Sequence, residues 1–250
     1  MQHLISAISG AAVRWQDFPG EGDPVFFIHG LGCAASYEYP RIIADPAWRG
    51  RSAVLVDLPG SGYSDRPVEY TYAIRQQAAV VREVIDAAGC ERCSLYGHSM
   101  GGSIAIEVAT ALGDRLVALA VSEPNFYPGG GFFSRQIAAG PEAEFVREGY
   151  AALVEKEHSP WRGSLQATAP YALWRATNSL IEGTSPDWMT QFLALQCRKT
   201  LIVGAQTLPD PDAEFVAGEG IGVEIVADAG HSMSWENPAA LAAVLGAFFR

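Results

Sequence analysis

The sequence predicts an α/β fold: a mostly parallel central sheet flanked by helices, with a helical segment inserted near its C-terminal edge. Three observations carry this. Short, fully apolar runs of strand length alternate with amphipathic helical stretches, the pattern of a parallel sheet covered on both faces. One such run, Cys93-Ser94-Leu95-Tyr96, leads through Gly97-His98-Ser99-Met100-Gly101-Gly102 into a helical segment over 103–112. The alternation then breaks between about 125 and 195, where aromatic, Pro and Gly residues accumulate among helical stretches.

Two short antiparallel strands are expected over 4–8 and 12–17 around Ser9-Gly10. Val25-Phe26-Phe27-Ile28 is an apolar run for the middle of the sheet and ends in His29-Gly30-Leu31-Gly32. Helical character follows over 37–44. Ala53-Val54-Leu55-Val56 is the next buried strand and ends in Asp57-Leu58-Pro59-Gly60-Ser61-Gly62-Tyr63-Ser64. Residues 72–88 form a long amphipathic helix closed by Gly89. Further strands are expected over 116–121, followed by Ser122-Glu123-Pro124, over 200–203, ending at Gly204, and over 223–226. The last strand precedes Ala229-Gly230-His231, and 238–250 is a closing helix. Helical stretches near 141–155, 170–181 and 187–195 fall in the interrupting segment. The expected organisation is a core domain of 1–124 plus 196–250 and a lid of 125–195, inserted where such sheets bind ligands.

The chain has 250 residues, 49% of them hydrophobic and 18% charged, enough to bury a large core. Its formal net charge of −11 disfavours nucleic acid and anionic membranes as partners. No signal-peptide pattern or transmembrane-length apolar run is visible, so a cytoplasmic location is the expectation. Cys90-Glu91-Arg92-Cys93 has Cys-x-x-Cys spacing but no second ligand pair, and it spans a helix end and a strand start. Buried or incidental thiols are expected there rather than a metal or redox site. No cofactor and no metal are expected. The expected partner is a small-molecule substrate, and the chain is expected to be a monomer or a homodimer.

Gly97-x-Ser99-x-Gly101, set between a strand and a helix, fits a nucleophile elbow. The turn strains the serine, and glycines on both sides remove the side chains that would clash. A serine hydroxyl needs a base, and the base needs an orienting acid. His231 is the expected base, on the loop after the last strand and so at the same sheet edge as Ser99. His98, beside the serine, is expected to point away and pack behind the turn. Two backbone N–H groups are expected to hold the oxyanion, those of Leu31 and Met100.

Together, His29-Gly30-Leu31-Gly32, the Asp57–Ser64 segment, the Gly97–Gly102 elbow and Gly230-His231 with Glu236-x-Pro238 resemble the α/β-hydrolase superfamily. The resemblance covers nearly the whole chain except the lid and implies a Ser–His pair on that fold. It is a poor guide to substrate. In most similar hydrolases the acid lies about three residues past a glycine equivalent to Gly204. Here that place holds Thr207, which carries no charge. Asp210 or Asp212, slightly further on in a Pro-rich loop, could substitute. So could Glu123, 24 residues after Ser99 at the end of the preceding strand. That spacing is found in some haloalkane dehalogenases and zearalenone-type lactonases, and Glu123 is the favoured acid with Asp210 the alternative. Asp57 is expected to shape a turn.

Phe126, Tyr127, Phe132, Phe133, Trp161, Tyr171, Trp174, Trp188 and Phe192 supply the lid with aromatic surface, for the pocket wall or for the lid's own core. Met233, Trp235, Phe126 and Trp174 are the expected substrate-binding residues. Gly129-Gly130-Gly131 could be a hinge or a plain loop. The leading expectation is a serine hydrolase that cleaves a carboxylic ester or lactone of a small, largely apolar substrate through an acyl-enzyme. C–C bond hydrolysis or cofactor-free perhydrolysis on the same residues, and a non-catalytic ligand-binding role, stay open. A haloalkane dehalogenase is disfavoured, since that chemistry needs a carboxylate nucleophile.

Overall fold

The computed structural model describes every residue, Met1–Arg250. Eight strands form one sheet in the order β1-β2-β4-β3-β5-β6-β7-β8. They are β1 (Gln2–Ile5), β2 (Ala12–Phe18), β3 (Glu21–Ile28), β4 (Arg51–Asp57), β5 (Cys93–His98), β6 (Leu116–Ser122), β7 (Arg198–Gly204) and β8 (Gly222–Val226). The first two pair antiparallel, and β2 meets β4 antiparallel. All remaining pairings are parallel. The fold is the α/β architecture that the alternation predicted.

Helices follow in chain order: α1 (Ala35–Glu38), α2 (Pro40–Ile43), α3 (Ile74–Ala87), α4 (Met100–Leu112), α5 (Phe132–Ile137), α6 (Glu142–Glu144), α7 (Tyr150–Lys156), α8 (Trp161–Gln166), α9 (Pro170–Glu182), α10 (Trp188–Ala194), α11 (Pro211–Gly218), α12 (Met233–Glu236) and α13 (Pro238–Phe248). None is long and apolar enough to cross a membrane. The helix expected over 37–44 is two short helices, broken at Tyr39-Pro40. Pro40 lacks the N–H that a continuous helix would need there. The helix expected over 141–155 is likewise split, by a π-helical stretch over Phe145–Gly149.

Strand side chains alternate between two cores. Phe26, Ile28, Leu95, Leu119 and Val121 face α3, α4 and α10 in the larger one. Val25, Phe27, Tyr96, Ala118 and Ala120 face α1, α2 and α13 in the other. A third cluster of Ile137, Phe145, Leu165 and Leu173 holds the inserted helices together. The inserted segment is not all lid. Phe126 and the α10 residues Trp188, Met189 and Phe192 belong to the larger core, so α10 serves as the crossover helix between β6 and β7 rather than as an overhang. The part standing over the sheet edge therefore ends before residue 195.

Topology fixes where chemistry is possible. β3 has β4 on one side and β5 on the other, so successive connections diverge there and leave a crevice at the C-terminal strand ends. Register aligns those ends: Ile28 sits beside Gly97, His98 beside Ser122, Ser122 beside Ile202, and Gly204 beside Val226. Leu31, Ser99, Glu123, Thr207 and His231 all lie just beyond this line.

The β5–α4 turn is as tight as its glycines imply. A Cβ on Gly97 would come within 2.2 Å of the Gly101 carbonyl oxygen, and one on Gly101 within 2.2 Å of the Ile28 carbonyl oxygen. Gly101→Ala is expected to cost about 3 kcal/mol or more, because only backbone could move aside. Differential scanning calorimetry should show Tm falling by roughly 6–12 °C. A change under 1 °C would contradict this close packing.

Candidate active site

Ser99 sits between β5 and α4 at φ 53°, ψ −123°. A non-glycine residue there costs on the order of 1–3 kcal/mol and persists only when its surroundings impose it. The Ser99 N–H donates to the Ser122 carbonyl oxygen (2.9 Å), which pins the turn to β6. Its Oγ is free of hydrogen bonds to the protein and faces a cavity of about 520 Å³ that also holds His231, Leu31 and Glu123. That volume suits a small organic ligand.

Glu123 follows β6, also at positive φ (40°). The Nδ1 of His231 lies 2.7 Å from its Oε2. An ionised carboxylate can only accept, so Nδ1 carries the proton and Nε2 is left with a lone pair. The Glu123 Oε1 accepts from the Gly204 N–H (3.0 Å) and the Thr207 hydroxyl (2.6 Å). Burial pushes the Glu123 pKa up, yet the donors His231, Thr207 and Gly204 outweigh it and hold the carboxyl at about 2.

Asp210 is elsewhere engaged: it caps α11, accepting from the Ala213 N–H at 2.8 Å. The loop expected around Asp210 and Asp212 is in fact the start of that helix, with Pro211 in its first turn. Thr207, set aside in the sequence for lacking a charge, sits against Glu123. The hydroxyl at that position was the available signal of a donor to the Glu123 carboxylate.

His98 shares a hydrogen bond with Ser122 Oγ at 2.9 Å from Nδ1. Its ring packs against His231, centroids 4.8 Å apart. Burial, then the charge of His231, lowers its pKa to about 3, so it stays neutral. It does pack behind the turn, and it also forms part of the cavity wall.

Leu31 follows β3 and its N–H has no partner within the chain. The Met100 N–H opens α4, where helix geometry leaves the first N–H groups unpaired. The Leu31 carbonyl accepts from the Trp161 Nε1–H at 3.1 Å, so an inserted helix grips the loop from above. The sequence offered Trp161 only as one aromatic among nine. Asp57 accepts from Ser36 N–H and hydroxyl and from the Tyr63 N–H, a turn-shaping role as expected.

Of the four expected substrate-binding residues, Trp235 lines the cavity. The other three need correction. Met233 is fully buried under the sheet with α13. Phe126 is buried against Phe192 in the larger core. Trp174 packs on the inserted helices' own core, its Nε1 donating to the Gly140 carbonyl. Nearness in sequence to a catalytic loop does not set which way a side chain points. Phe132, Phe133 and Trp161 form the aromatic wall instead, joined by Glu38, Asn125 and Glu157. No lysine or arginine lines the cavity. Gly129 and Gly130 adopt positive φ, and the Gly129 N–H is bonded to Ile181 of α9, so this glycine run is a turn pinned to the inserted helices.

A family model described as the alpha/beta hydrolase family matches residues 25–244. The chain belongs to that family. The chain is 29% identical over 192 residues to the 2-hydroxy-6-oxo-6-phenylhexa-2,4-dienoate hydrolase of Comamonas testosteroni, covering 76% of this chain and 64% of that protein. It spans less than two thirds of the length of the curated relatives it matches. Among solved structures, it superposes on a thermophilic esterase from Thermogutta terrifontis with a TM-score of 0.81 at 21% identity, covering 100% and 98% of the two chains. It superposes on the N-acyl homoserine lactonase AidH with a TM-score of 0.73 at 20% identity, covering 100% and 97%. At that identity the likeness to both structures is one of fold.

Proposed function

We propose that this hydrolase cleaves a carboxylic ester or lactone of a small, largely apolar substrate through Ser99, His231 and Glu123. The observation that carries the reading is the 2.7 Å contact between His231 Nδ1 and Glu123, in one cavity with Ser99. Nε2 of His231 takes the Ser99 proton as Oγ attacks the carbonyl carbon. The Leu31 and Met100 N–H groups hold the oxyanion. His231 then protonates the departing alkoxide, and water attacks the acyl-enzyme by the same steps reversed. No hydrogen bond joins Ser99 Oγ to His231, and catalytic contacts of this kind tighten in the complex with substrate. Glu123, held ionised, keeps the imidazole in the productive tautomer and balances the imidazolium.

The esterase and lactonase named among the structural neighbours agree with this reading. The Comamonas testosteroni relative, by its name, acts on a dienoate, which is a carboxylate. A carboxylate substrate needs a cation, and this cavity offers Glu38, Glu123 and Glu157 with no lysine or arginine. That charge pattern favours neutral substrates over carboxylates.

A fluorophosphonate probe should label Ser99, and mass spectrometry of the digested protein should find the adduct on that residue alone. In a substrate panel, neutral p-nitrophenyl esters and lactones should turn over at least about tenfold faster than analogues ending in a carboxylate. An inert Ser99 would favour a non-catalytic binding protein. Preferred cleavage of a dienoate would favour C–C hydrolysis.

A further inference from the structure

One ionisable group of the cavity has no part in the steps above. Glu38 ends α1, just past the Leu31 loop, and is 2% exposed. It lines the cavity with Ser99 and His231. Its Oε1 accepts from the Ser234 hydroxyl at 3.1 Å. Its Oε2 has no partner, and neither has the indole Nε1 of neighbouring Trp235. No lysine or arginine pairs with it among the ion pairs of the chain. A buried carboxyl with one hydrogen bond and no cation is costly to ionise.

Among the groups that act on it, His231 is the one on which the steps above place a positive charge. Cys33 on the preceding loop, Tyr39 next in sequence and Tyr96 on β5 are all pushed up by burial and stay neutral. Arg41 lies over the Trp235 ring, 4.6 Å from its centroid. Ser234, the residue that anchors Glu38, is three positions beyond His231. Glu38 therefore ties the Leu31 side of the site to the His231 loop.

We infer that Glu38 is a second, titrating carboxyl of this site, a positioning residue that as the anion stabilises the imidazolium formed on His231 and as the neutral acid does not. The inference rests on the hydrolase reading above. Burial pushes the Glu38 pKa up to about 7, against opposing pulls from Ser234, Cys33, Trp235 and His231. The change of state thus falls near neutral pH. Stability must move the other way. A carboxyl whose folded pKa is raised gives stability that is fully present below its unfolded pKa and is lost as pH rises through about 7. The ionised form is the less stable fold and the faster site.

The test is the rate of Ser99 labelling by a fluorophosphonate between pH 5 and 9, in the wild type and in Glu38→Gln, with Tm measured in the same buffers. Wild type should show an ionisation near pH 7 that Glu38→Gln lacks. The variant should label roughly tenfold more slowly at high pH and at a similar rate at low pH. It should also melt several degrees higher than wild type above pH 8, a gap that narrows steadily towards pH 5. Ser234→Ala removes the anchor and keeps the charge, so it should retain the step and move it to higher pH. A reactive Ser99 whose pH profile is the same in wild type and Glu38→Gln overturns the role of Glu38 alone. A Ser99 inert at every pH overturns the hydrolase reading, and this inference with it.

Discussion

Ser99→Ala should abolish measurable hydrolysis of p-nitrophenyl acetate, with kcat/KM falling by about ten-thousand- to million-fold. The residual rate would come from the cavity and from the Leu31 and Met100 N–H groups, which are backbone and survive the change. The protein should stay folded. Ser99 Oγ makes no hydrogen bond to the protein and is not among the buried unpaired groups, so its removal strands no partner and opens no hole in the core. Alanine inherits the φ of 53° and with it the strain of the turn. Ser99→Gly relieves that strain and should raise stability by about 1 kcal/mol while being equally inactive. Circular dichroism melts beside the assay separate loss of chemistry from loss of fold. Wild-type activity in Ser99→Ala would assign hydrolysis to some other group.

The strands and the long helices were legible because their signals are local. Val25–Ile28 and the run over 53–56 are apolar at every position, and a run that short, buried on both faces, has few other structures open to it. The elbow was legible for the same reason: strand, glycines and helix are adjacent in sequence. Pocket lining was not. Phe126 and Phe132 are six residues apart, yet one is buried in the main core and the other stands exposed at the cavity. That difference is set by how α5 packs on α9, a contact between distant segments. Glu38 was overlooked because an acid among Ala, Tyr and Ile reads as a solvated helix end. Its burial depends on α12, almost 200 residues later. The acid position lay between these cases. The empty place at Thr207 was visible, and the spacing to Glu123 was visible, but their mutual hydrogen bond needed β6 and β7 side by side.

That hydrogen bond sharpens the prediction for the acid. Glu123→Gln should lower kcat by about a thousand- to ten-thousand-fold, far beyond the loss of one charge. The Oε1 site faces the Gly204 N–H, a fixed backbone donor at 3.0 Å. A glutamine must therefore put its carbonyl oxygen there, since its NH2 would oppose another donor. The NH2 then occupies the Oε2 site and faces Nδ1 of His231, 2.7 Å away in the wild type. To accept from it, His231 must move its proton to Nε2, the nitrogen that has to receive the Ser99 proton. The substitution thus installs the unproductive tautomer. Glu123→Asp keeps the charge but is one methylene short of spanning Gly204 and His231 together, so its loss should be smaller, roughly ten- to a hundredfold. Asp210→Asn should leave turnover within about twofold, because asparagine caps a helix as well as aspartate does. Steady-state kinetics on the three variants, with Ser99 labelling as a second readout, decide the matter. If Asp210→Asn proved the damaging change and Glu123→Gln the mild one, the working acid would lie after β7, and the Glu123–His231 contact would be structural only.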